Sequence, residues 1–142
     1  LDSIVFYCYP IVEINNIKNG IDWTTEDCTL VPNHLLTEPS DPPRSFAYCS
    51  DTCYLPELAQ YIQKADLLFH EATFSHDDLA RAKETFHTTA LQAATLARDS
   101  QVKKLCIGHF SARYEDESQL LKEAQSIFEP TILARENLLI KI

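Results

Sequence analysis

Four alanines constrain most tightly what this chain can fold into. Ala90, Ala93, Ala94 and Ala97 recur at helical spacing behind Thr89, and Gln92 follows that threonine by three positions. Thr89 and Gln92 make a capping box, in which hydroxyl and amide each satisfy an otherwise unpaired backbone N–H. A helix face made of methyl groups can lie close on a sheet. Apolar runs suited to that sheet stand on both sides: Leu67-Leu68-Phe69 in a strand predicted over 66–70, and Leu105-Cys106-Ile107 in one over 104–108. A strand over 45–50 puts Phe46 and Tyr48 on one face. A helix after it carries Leu55, Leu58, Ala59 and Ile62, with Pro56 in its first turn. Asp116 and Gln119 are candidate caps for a last helix with the stripe Leu120, Ala124, Ile127 and Phe128, and 131–133 and 138–142 read as closing strands. The order β-α-β-α-β-α-β-β is an α/β layered architecture.

Residues 1–44 are less regular. A possible strand over 1–9, an Asn19-Gly20 turn, and Pro39, Pro42 and Pro43 read as a hairpin-like or irregular lead-in that ends in an extended, proline-rich linker. The organisation is therefore a lead-in, 1–44, and a βα unit, 45–142. The total of 142 residues suits one domain, and no apolar run approaches the ~20 residues of a membrane-spanning helix.

Composition excludes some functions. Two glycines cannot supply the three of a GxGxxG phosphate loop. A net charge of −9 speaks against nucleic-acid binding through a general basic surface. Cys8, Cys28, Cys49, Cys53 and Cys106 are odd in number and irregular in spacing, and no basic-then-apolar leader is visible. They read as reduced thiols in a cytoplasmic protein. Cys49 and Cys53 bracket Asp51, but no second close pair completes a four-ligand zinc site, so they read as small hydrophobes. The chain opens on Leu1 and contains no Met, as a fragment would.

The predicted strands end in reactive residues: the first runs into Asp51-Thr52, the second into His70-Glu71, the third into His109. Ligands of α/β sheets bind at the carboxyl ends of strands, so parallel neighbours would bring these residues to one edge. The chemistry expected of them is metal-assisted hydrolysis, with carboxylate and imidazole as metal ligands. His87, two residues before the predicted cap, is a candidate general acid, and Glu71 a candidate to hold it protonated. Arg113 is a candidate phosphate contact and equally a candidate structural ion pair. His34 and His76 read as surface residues, and Trp23 and Tyr54 as packing residues.

Four stretches carry a family resemblance: Pro43-Arg44-Ser45-Phe46-Ala47-Tyr48-Cys49-Ser50-Asp51-Thr52, Ala65-Asp66-Leu67-Leu68-Phe69-His70-Glu71-Ala72-Thr73-Phe74, His87-Thr88-Thr89-Ala90, and Gly108-His109-Phe110-Ser111-Ala112-Arg113-Tyr114. In order and spacing they resemble the carboxyl-terminal half of the ribonuclease Z family, tRNA 3′-processing endonucleases of the metallo-β-lactamase superfamily. The resemblance implies half of an αββα sandwich, a sheet flanked by helices. It implies that Asp51 bridges two zinc ions, that His109 is the last zinc-ligating histidine, and that His87 with Glu71 assists the leaving group. It also implies metal-bound hydroxide attacking phosphorus to leave a 3′-hydroxyl on the tRNA, a cytoplasmic homodimer, and no membrane association. The family often has Ser where Thr88 stands, and Thr keeps the hydroxyl.

The superfamily's HxHxDH motif is absent, as is any HxH pair. The implied two zinc ions belong to a full-length protein, and this chain alone is expected to hold them incompletely and to be inactive. The tRNA precursor would be gripped mainly through the missing amino-terminal half. Two alternatives stand beside this reading: a related phosphodiesterase acting on small or cyclic phosphodiesters, and a non-catalytic dimerisation half-domain.

Overall fold

The computed structural model describes residues 11–38 and 42–142. The chain forms one compact unit ending at Pro42 and a second, Pro43–Ile142. Among the described residues no helix is long and apolar enough to cross a membrane. The strand expected over 1–9 lies outside the described residues, as do Cys8 and Pro39.

In the first unit a helix, α1 (Ile11–Lys18), precedes a short antiparallel hairpin of β1 (Trp23–Thr24) and β2 (Leu30–Val31). The Asn19-Gly20 pair closes α1 rather than turning a hairpin. Gly20 takes φ +84°, its N–H donates to Ile17 O, and the next N–H, of Ile21, donates to Asn16 O. This is the helix-ending motif that favours glycine because it needs a left-handed residue.

The second unit is the expected α/β layer. Its sheet runs β3 (Phe46–Cys49), β4 (Leu67–Glu71), β5 (Leu105–Gly108), β6 (Thr131–Leu133), in that spatial order and parallel throughout. A short helix α2 (Leu79–Glu84), not foreseen from the sequence, precedes α3 (Ala90–Asp99), and α4 (Ser118–Ile127) joins β5 to β6. Thr89 and Gln92 form the capping box in full, the threonine accepting from Gln92 N–H and the glutamine from Thr89 N–H. All four alanines of α3 are fully buried, and they share one core with Leu68, Leu105, Ile107, Leu120 and Ala124. Asp116 accepts from the N–H of Ser118 at the start of α4.

Alternation divides the sheet. Ala47, Cys49, Leu68, Leu105, Ile107 and Leu133 pack toward the helices, and their neighbours along the strands, Phe46, Tyr48 and Phe69, take the opposite face. Phe46 and Tyr48 are exposed there, with Tyr48 stacked on Phe69 at 4.7 Å.

Two sequence expectations are corrected. The helix over Leu55–Ile62 is a single 3-10 stretch, Pro56–Gln60, closed by i→i+3 bonds such as Tyr61 N–H to Leu58 O. One turn already brings this segment against α3, with Leu58 and Ala59 half-buried and Ile62 packed on the core, and so short a segment has too few bonds to sustain an α-helix alone. Residues 138–142 are not a strand; their backbone joins no ladder, and Leu139 stands in solvent.

Candidate metal centre

The parallel register brings the strand ends level: Cys49 pairs with His70, and Glu71 with Gly108. The chain then turns abruptly. Asp51 and His109, each just past a strand end, adopt left-handed φ values of 48° and 58°, and Phe86, immediately before His87, adopts 59°. Non-glycine residues in that region are strained, and such strain persists where the surroundings hold it, often at functional sites. Gly108 has a different reason to be glycine: a Cβ there would meet the Phe69 ring at 2.9 Å.

These turns gather Asp51, His87 and His109 so that one ligand atom from each lies within 4.8 Å of the others. His109 Nε2 is 3.2 Å from Asp51 Oδ1, and the His87 and His109 rings are 5.4 Å apart. One carboxylate oxygen and two imidazole nitrogens suit a divalent cation, and zinc bonds of about 2.0–2.2 Å can be made from donors so close together. Three donors form part of a shell for one ion, not two complete shells.

Behind them lies Glu71, fully buried at the end of β4. Its Oε1 accepts from Thr52 N–H and His87 Nδ1, both at 2.8 Å. Its Oε2 accepts from the Thr73 hydroxyl at 2.5 Å, from Thr88 N–H at 3.2 Å and from Thr73 N–H at 3.4 Å. Burial opposes its charge, but the bonds from Thr73, His87, Thr88 and Thr52 together outweigh burial and hold its carboxyl below the ordinary range.

The expectation that His70 joins Glu71 at the edge is corrected. His70 pairs in register with Cys49 and Ile107, so it points to the opposite face of the sheet from Glu71. It is fully buried, with Nδ1 2.8 Å from the Glu71 carbonyl and no hydrogen-bond partner for Nε2 among the described residues. Burial pushes its pKa down, so the ring is neutral. Arg113 is engaged as an ion pair, 3.4 Å from Asp78, and lies over the Phe74 ring, whose edge meets His87. Tyr114 next to it donates to Asp78 and accepts from Ser75 N–H. His34 is exposed, whereas His76 is half-buried with Nδ1 3.2 Å from the Thr89 hydroxyl. Tyr54 lines a cavity of about 310 Å³ beside His87, with Cys53, Lys83, Phe86 and Gln92. Cys28, Cys49, Cys53 and Cys106 are free thiols.

The residues missed from the sequence are the threonines that serve Glu71. Thr73 links it to His109, its Oγ1 lying 3.0 Å from His109 Nδ1. Thr88 donates its hydroxyl to Thr52 O at 2.7 Å and ties the two loops together. Their only sequence signal is proximity to Glu71, Asp51 and His87.

The family described as "Beta-lactamase superfamily domain" matches residues 34–110. The chain is similar to ribonuclease Z of Bacteroides fragilis strain YCH46, 57% identical over 141 residues, which are 99% of this chain and 46% of that protein. It is 61% identical to ribonuclease Z of Phocaeicola vulgatus over 141 residues, again 99% of this chain and 46% of that protein. The chain thus spans about half the length of the curated relatives it matches. Among solved structures it resembles the metallo-beta-lactamase fold protein YhfI of Bacillus subtilis, with TM-score 0.63 and 23% identity over 70% of this chain and 40% of that one, a likeness of fold.

Proposed function

This chain belongs to the β-lactamase superfamily, and on that premise we propose that it is the carboxyl-terminal part of a zinc-dependent endoribonuclease that removes 3′ trailers from tRNA precursors. What carries the proposal is the 61% identity to a ribonuclease Z along 99% of the chain. The assembled Asp51, His87, His109 and Glu71 are the groups such a reaction needs. In this reading the whole protein is a cytoplasmic homodimer that holds two zinc ions, with the remaining ligands outside these 142 residues.

Asp51 and His109 would hold metal. Bound zinc supplies an acidified water and polarises a phosphoryl oxygen. The protein's own share is proton handling. His87 donates through Nδ1 to Glu71 Oε1, which fixes the ring and leaves its other nitrogen for the leaving oxygen of the phosphodiester. Glu71 stabilises the protonated ring until that proton is delivered. Arg113, held by Asp78, buttresses Phe74 against His87, and a phosphate contact would draw it from that ion pair.

The test is cleavage by the full-length protein. A tRNA precursor should be cut to a tRNA ending in a 3′-hydroxyl, far more efficiently than bis(p-nitrophenyl) phosphate is hydrolysed. The reverse preference would support the small-phosphodiester alternative. The 142-residue chain by itself should cut neither, and a stoichiometric zinc pair bound to it would overturn the proposed division of ligands.

A further inference from the structure

Glu71 accepts five hydrogen bonds: three from backbone N–H groups, one from His87 and one from Thr73. A carboxylate surrounded only by donors has no proton to give back, so at the 2.5 Å contact the Thr73 hydroxyl must be the donor. Thr73 Oγ1 also lies 2.9 Å from the carbonyl oxygen of His109 and 3.0 Å from His109 Nδ1. A hydroxyl has a single proton. If it went to the carbonyl, two oxygen acceptors would face each other at 2.5 Å inside a buried site. With the proton on Glu71, Oγ1 can only accept from Nδ1, so Nδ1 of His109 carries the hydrogen. Nε2 is then the nitrogen left for a metal; it lies 3.2 Å from Asp51 Oδ1, a distance at which two lone pairs need a cation between them.

We propose that Thr73 is a positioning residue that fixes the metal-binding nitrogen of His109, so that Glu71 orients the metal ligand through Thr73 as well as His87 directly. The assignment rests on the reading of Asp51 and His109 as metal ligands. One buried carboxylate then sets both imidazoles, each bonded through Nδ1 and each left with Nε2 for chemistry. Ligand histidines in general depend on such a partner for their tautomer, and losing it costs about 10–100-fold in metal affinity or activity.

The test uses the full-length protein and has two readouts that need no tRNA. The ¹⁵N spectrum of the zinc-loaded wild type should show His109 with its hydrogen on Nδ1. Zinc affinity, from competition with a chromophoric chelator, should fall about 10–100-fold in Thr73→Val and be largely restored in Thr73→Ser, which keeps the hydroxyl. The proposal is overturned if the spectrum puts the hydrogen on Nε2, if Thr73→Val binds zinc as wild type does, or if the full-length protein binds no zinc. Should the valine variant fail to fold, the wild-type spectrum decides. A protein that binds zinc as described but leaves tRNA precursors uncut would remove the proposed substrate and leave this assignment standing.

Discussion

Asp66 and Glu71 stand at opposite ends of β4, and each collects hydrogen bonds from the neighbouring strand ends. Asp66 accepts from the N–H and hydroxyl of Ser45, at 2.8 and 3.1 Å, and from Lys103 at 2.7 Å, with Arg44 3.6 Å away. Lys103 first, then Ser45, holds its carboxyl well below the ordinary range. Its cations face water, and nothing reactive depends on it. Glu71 is sealed from water, and among its donors is an imidazole that belongs to the site. The amino ends of the sheet thus use a carboxylate to tie strands together, whereas the carboxyl ends use one to aim side chains. Stability and function should therefore separate along the same strand.

The sharpest way to break that separation is a pair of substitutions in the full-length protein. His87→Ala should lower tRNA-precursor cleavage by about 10²–10⁴-fold, the usual worth of a positioned proton donor, with a melting midpoint close to wild type. Asp66→Asn should do the reverse, lowering the midpoint and sparing the cleavage rate. A His87→Ala protein that unfolds, or an Asp66→Asn protein that folds but cuts poorly, would show that the two ends are not divided in this way.

Acid separates the groups by pH. His70 has a lowered pKa, so as pH falls below its ordinary value of 6.5 the unfolded chain takes a proton that the buried ring refuses, and stability is lost. Glu71 and Asp66 also have lowered values, below 4.5 and 3.8 respectively. Each contributes stability above its ordinary value, and that contribution is lost as pH falls through the folded one. Urea midpoints of the wild type should slope downward as pH falls below about 6.5, and more steeply below about pH 4.5. His70→Leu should flatten the first slope and leave the second. An unchanged first slope in that variant would remove His70 as its source.

How much of the fold and the site is legible in the sequence depends on the kind of signal. Thr89, Gln92 and the four alanines were readable because a cap and a helical face have fixed spacings, and the strand ends followed from the apolar runs. His70 was misplaced because the predicted strand stopped one residue short, and in a strand one residue changes the face. The Asn19-Gly20 pair signals a left-handed turn equally well after a helix or between strands, and only the bonds to Ile17 and Asn16 distinguish them. Thr73 was invisible as a functional residue because its role is a contact with His109, 36 positions away, which no periodicity encodes.

The smallest expected effect tests the left-handed residues themselves. With only two glycines in the chain, seven other residues among those described take positive φ values, among them Gln101, Asp51 and His109. Gln101 closes α3 as Gly20 closes α1: its N–H donates to Arg98 O and the next, of Val102, to Ala97 O. The position calls for glycine and has a side chain with no function at the site. Gln101→Gly should therefore raise stability by up to about 1 kcal/mol by relieving left-handed strain, less what glycine's freedom in the unfolded chain takes back. Gly20→Gln should cost a similar amount, and neither should change zinc affinity. Asp51→Gly relieves the same strain but removes a proposed metal ligand. If Asp51→Gly is as stable as wild type or more so, yet binds zinc more weakly, the strain at the carboxyl end is retained for the site. If it is markedly less stable, Asp51 contributes to the fold beyond its backbone conformation, and the division between the two ends of the sheet is narrower than drawn.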